Sequence, residues 1–127
     1  MNIYFFAILF SIVALITVLF QLALAAGMPW GHLAMGGRYP GKFPPQMRVG
    51  AIIQALLLAF LAMIVLSRAG VAFQNLSNLS QSLIWAAVAI SGISLIMNLF
   101  TPSKWERILW APVAMVMTVS SIIVALA

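Results

Sequence analysis

Residues 27–48 read GMPWGHLAMGGRYPGKFPPQMR, from Gly27 to Arg48, and they lie between two long apolar runs. The stretch holds five of the eight glycines, four of the six prolines, the single histidine and three of the six basic residues. Glycine is costly inside a helix, and proline removes a backbone donor, so this composition cannot continue a spanning helix. It ends one helix and precedes the next. The short segment His32-Leu33-Ala34-Met35 is expected to form one interfacial turn within it.

Upstream, residues 3–26 carry no charge. About 20 residues suffice to cross the hydrocarbon core. A secretory signal peptide is the rival reading, since Ala23-Leu24-Ala25 has the form of a cleavage site. Against it stand the missing basic n-region and an apolar run beyond the usual ~7–15 residues. Downstream, residues 49–67 form a second span whose flanks, Arg48 and Arg68, reach the two interfaces by snorkelling. Ala51, Ala55, Ala59 and Ala62 fall on one helical face and favour close helix approach.

Residues 71–81 are a polar connector. Asn75-Leu76-Ser77 and Asn78-Leu79-Ser80 match the glycosylation pattern, but such residues equally serve as helix caps and turns. A third span covers 82–100, with Ala87, Ser91, Ser94 and Asn98 as a small, weakly polar stripe. Thr101-Pro102 stops it, because the residue before proline disfavours the helical region. Ser103-Lys104-Trp105-Glu106 then reads as a capping box, with Glu106 reaching back to the Ser103 amide. The fourth span, 104–127, has a small face of Ala111, Ala114, Thr118, Ser121 and Ala125; Pro112 removes a backbone bond near Trp110, where a kinked hinge is the alternative to a proline simply tolerated in a spanning helix.

Composition agrees with these runs. Hydrophobic residues make up 65% and charged residues 6%, against about 25% charged in soluble domains. The expectation is a single domain, 1–127: an all-α, up-down four-helix transmembrane bundle with a long Gly/Pro-rich first loop. No cysteine is present, which excludes disulfide and thiol chemistry. The net charge of +5 sits between apolar runs, so it points to lipid headgroups and orientation rather than to nucleic acid.

Four spans put Arg38, Lys42, Arg48, Lys104 and Arg107 on one side, and Arg68 on the other. The positive-inside rule then places residues 27–48 in the cytoplasm and both termini outside. Trp30, Trp105 and Trp110 fall near the inner interface and Trp85 near the outer one, as an aromatic belt requires.

Residues 3–26, 49–67, 82–100 and 108–127 contain no Asp, Glu, Lys, Arg or His. Proton relays and coupled transport depend on such residues in the membrane. One acid cannot supply a carboxylate pair, and one His without Cys does not make an ordinary zinc site. A Ser–His–acid triad would have to use His32 and Glu106, and Glu106 is already accounted for by the capping box. No catalytic residue, metal or cofactor is expected.

A binding site remains conceivable at the inner face. Gln21, Gln54 and Asn98 fall at broadly similar depth. Above them come Trp30, His32, Arg38, Tyr39, Lys42 and Arg48, joined by Lys104 and Arg107 from the short turn. Amides below a cationic, aromatic lid suit an anionic group such as a phosphate headgroup. The plainer alternative is that the amides bond between helices, at roughly 0.6 kcal/mol each, beneath an interfacial anchor.

The pattern Gly27-x-Pro29-Trp30-Gly31-x-x-Ala34-x-Gly36-Gly37-x-x-Pro40-Gly41-x-x-Pro44-x-x-x-Arg48 resembles that of a group of small bacterial four-span integral membrane proteins. So do Asn98-Leu99-Phe100-Thr101-Pro102-Ser103 and Glu106-Arg107-Ile108-Leu109-Trp110-Ala111-Pro112. The resemblance implies the architecture and a bacterial inner-membrane setting, and carries no activity. The expected role is a non-enzymatic structural or accessory protein whose partners are membrane lipids, alone, as a homo-oligomer or within a larger membrane complex. The alternative is a small oligomeric transporter or channel that uses the Ser/Thr/Asn stripes as a polar path.

Overall fold

A computed structural model describes residues 2–127. It contains four long helices: α1 (Ile3–Ala26), α2 (Pro45–Ala69), α3 (Ser77–Leu99) and α4 (Lys104–Leu126). Three short 3₁₀ turns, Gly31–Leu33, Met35–Gly37 and Gln74–Leu76, complete the structure, and no strand occurs among the described residues. All four helices are long and apolar enough to cross a membrane. The protein is a multi-pass helical bundle.

Each helix end follows from local chemistry. Asn2 caps α1 by accepting the Tyr4 and Phe5 amides at 3.0 and 3.3 Å. Gly27, at φ +100°, closes the helix, and the Met28 N–H donates to the Ala23 carbonyl at 3.0 Å. Only a glycine adopts that left-handed conformation cheaply. Gly70 ends α2 in the same way, with the Val71 N–H on the Leu66 carbonyl. α2 starts at Pro45, ahead of the expected 49, because proline is well suited to a first helical position that needs no donor. α3 starts at Ser77, ahead of the expected 82. Most of the polar residues assigned to the connector therefore form a 3₁₀ turn and the first helical turn. α4 runs on through Pro112 as one helix.

α1 packs chiefly on α2, and α3 on α4; α1–α4 and α2–α3 contacts close the ring. The main core joins Phe10 and Ala14 of α1, Leu58, Leu61 and Val65 of α2, Ile84 and Ala87 of α3, and Met117 and Val124 of α4. Alanine at Ala7, Ala14, Ala87 and Ala125 permits close helix approach without bulky side chains. The alanine face expected on α2 is only partly inward: Ala51 and Ala55 are buried, but Ala59 is exposed. Leu58 takes the inward position beside it, as a 3.6-residue period requires.

The expected polar stripes are only partly internal, with Ser94, Asn98 and Thr118 half-buried. Ala87, Ser91, Ala111, Ala114, Ser121 and Ala125 are buried. Thr118 donates to the Ala114 carbonyl and Ser121 to that of Thr118, so these hydroxyls are satisfied within α4. A second, smaller core lies at the loop end, where Leu24, Phe43 and Ala51 meet Phe20, Tyr39 and Met47.

Candidate functional site

Residues 27–44 fold onto the bundle as a docked loop. It first closes on itself: the buried Gly31 donates its N–H to the Gly41 carbonyl at 2.8 Å. A Cβ at Gly31 would lie only 1.8 Å from the Tyr39 carbonyl oxygen, so the close backbone approach requires glycine here. Tyr39 then packs edge-on against Phe43, with ring centroids 6.0 Å apart.

Three polar contacts tie this loop to the α3–α4 turn and the start of α4. The Gly36 N–H donates to Glu106 Oε2 at 2.9 Å. The Ser103 hydroxyl donates to the His32 carbonyl at 2.9 Å. The Trp110 indole N–H donates to the Leu33 carbonyl at 2.9 Å. Aromatic packing continues beneath them, with Phe20 between Trp110 (4.7 Å) and the parallel ring of Trp30 (6.3 Å). Met35 holds φ at +53°, an uncommon conformation for a side-chain-bearing residue. The contacts around Gly36 hold it there.

Only half of the expected capping box forms. The Ser103 hydroxyl accepts the Glu106 amide at 3.3 Å, but the Glu106 carboxylate does not return to the Ser103 amide. That amide donates instead to the Thr101 hydroxyl oxygen. Glu106 is thereby free to take the Gly36 amide, and the chain's single acid is buried in a structural contact. Among the described residues no Ser–His–acid triad is assembled: Ser103 engages the backbone of His32, while the His32 side chain is exposed.

The expected cationic residues divide into two groups. Arg48 is half-buried; its Nε donates to the Phe43 carbonyl at 2.9 Å, and its guanidinium lies against Gly27 at the end of α1. A cation there complements the negative end of the helix dipole and locks the loop's exit to its entry. Arg38, Lys42, Lys104 and Arg107 are exposed. Arg107 spends one N–H on the Thr101 carbonyl at 3.0 Å, which leaves most of the five guanidinium donors open.

The amides do not come together as a hydrogen-bonded base. Asn98 donates to the carbonyl and hydroxyl of Ser94 on its own helix. Gln54 is exposed on α2, and Gln21 is half-buried on α1. Similar depth had suggested a cluster, but none of the three amides bonds to another. Trp110, placed by sequence in the aromatic belt, is buried and serves the latch; Trp30 and Trp105 are exposed. Among the described residues, no group of three His, Cys, Asp or Glu side chains is placed to hold a metal ion.

The arrangement as a whole is a loop docked at one end of the bundle by polar and aromatic contacts, rimmed by cations whose one possible acidic neighbour is committed to the Gly36 amide. Searches against protein families, curated proteins and solved structures found no match to this chain.

Proposed function

We propose that this protein is a non-enzymatic membrane protein that binds anionic lipid headgroups at its docked-loop face. The observation that carries the reading is the set of four exposed cations, Arg38, Lys42, Lys104 and Arg107, around a loop whose only neighbouring carboxylate is turned inward. Such cations have no internal anion to satisfy, and the headgroup layer provides phosphates at the matching depth. Docking of the loop removes ordering cost from binding, since the donors are already presented.

The positive-inside rule orients this face toward the cytoplasm, with both termini outside. The resemblance of the Gly27–Arg48 pattern to small bacterial four-span proteins supports a bacterial inner membrane as the setting. Bonding of Asn98 to Ser94 within α3, and of Thr118 and Ser121 within α4, favours this reading over conduction through the bundle.

Native mass spectrometry tests the proposal. The purified protein is expected to retain phosphatidylglycerol over phosphatidylethanolamine, and the double variant Arg38→Ala, Lys42→Ala to lose most of that preference. Arg48→Ala is a poorer probe, because it also breaks the contact with Phe43. Equal retention of both lipids by the unaltered protein would overturn the reading.

A further inference from the structure

An outward-opening groove of about 370 Å³ runs down the contact between α3 and α4. Leu95 and Leu99 form one wall; Ile108, Pro112 and Met115 form the other; Arg107 stands at the end nearest the docked loop. We propose that this groove holds one acyl chain of a bound anionic phospholipid, with the lipid phosphate on Arg107. The inference rests on the headgroup reading above and deepens it: it turns a diffuse cationic rim into a defined site for one lipid molecule.

Three observations support that occupant. First, Leu99, Ile108 and Met115 are exposed on helices that face a bilayer, where water is excluded and acyl chains are the available filler. An unfilled groove would forfeit dispersion contacts along both walls. Second, the polarity runs in the same order as in a phospholipid. Arg107 sits in the first turn of α4, and Met115 lies about 12 Å deeper along the helix, at 1.5 Å per residue. Third, Arg107 is held in place by its bond to the Thr101 carbonyl while its remaining donors stay free, and a guanidinium binds phosphate with two parallel hydrogen bonds.

The structure contains its own control. A second groove of about 290 Å³ lies between α1 and α2, lined by Ala14, Val18, Ala59, Ala62 and Met63 among others, and no charged residue borders it. It offers an acyl chain comparable apolar walls without a partner for the phosphate.

The test uses the full chain in nanodiscs containing phosphatidylglycerol or phosphatidylethanolamine with a diazirine on one acyl chain. With phosphatidylglycerol, photo-crosslinks should concentrate at Leu95, Leu99 and Met115, at least about fivefold over the residues of the α1–α2 groove. Arg107→Ala should remove that enrichment, and so should Leu99→Trp, which fills the groove; Met115→Trp serves as a second filling variant should the first not fold. Even labelling of the two grooves, or enrichment that survives Arg107→Ala, would overturn the inference. If phosphatidylglycerol is still preferred in mass spectra while crosslinks are even, the headgroup reading stands and the groove site falls. If neither preference appears, both fall.

Discussion

At the scale of single residues, the most constrained position is Gly31. Its missing side chain is what lets the backbone of Tyr39 and Gly41 close over it. Gly31→Ala should undock the loop, at the upper end of the roughly 1–3 kcal/mol range for overpacking. Trypsin cleavage after the exposed Arg38 and Lys42 reads this directly, and should accelerate about tenfold or more. Gly50, where an added Cβ meets nothing within 4 Å, is the matched control, and Gly50→Ala should leave cleavage unchanged. Glu106 and Trp110 supply the graded cases. Glu106→Ala removes a charge-assisted bond to the half-buried Gly36 amide and should cost about 1.5–3 kcal/mol in thermal unfolding, whereas Glu106→Gln keeps an acceptor for that amide and should cost less. Trp110→Phe keeps most of the ring packing, leaves the Leu33 carbonyl without its donor, and should cost about 1 kcal/mol. None of these roles has a local signature. The acceptors at His32 and Leu33 are backbone carbonyls, which every residue carries. The nearest sequence cue was the presence of one acid in a chain otherwise free of them.

At the scale of elements, the four helices were legible because length and apolarity suffice to mark a spanning helix. Their junctions were read less well. α3 begins earlier than expected because Asn78, Ser80 and Gln81 look like connector residues but are tolerated in a first helical turn. The capping box failed for a different reason: Thr101 satisfies the Ser103 amide, so Glu106 is released to a partner 70 residues away. The placement of the candidate loop-face residues was legible only in part. Arg38, Lys42, Lys104 and Arg107 are exposed, whereas Arg48 is drawn into the loop's own support and the three amides are not bonded to one another. Depth along a helix is readable by counting residues; rotation about its axis depends on packing that counting does not contain.

At the scale of the whole molecule, charge is polarised between two ends. The loop end carries Arg38, Lys42, Arg48, Lys104 and Arg107. The opposite end carries Arg68, whose guanidinium donates to the Ala127 carbonyl at 2.9 Å and to that of Ala125 at 3.4 Å. That contact joins the last turns of α2 and α4 and complements the carbonyl-rich end of α4. A reporter fused after Ala127 should be active only on the outer side, and a cytoplasmic signal would reverse the orientation. A paired reporter fused after Gly70 should agree with it, because the two positions share an end of the bundle.

The latch between Gly36 and Glu106 also sets an order of events during synthesis. Its two halves are separated by 70 residues, so the loop emerges with only the α1–α2 side of its docking surface made, around Phe20, Leu24 and Ala51. At about 5–20 residues per second, the ribosome needs roughly 4–14 s to supply Glu106 after Gly36. Throughout that interval the nascent α1–α2 hairpin holds its loop by that smaller core alone, and the polar latch closes only when the second hairpin arrives.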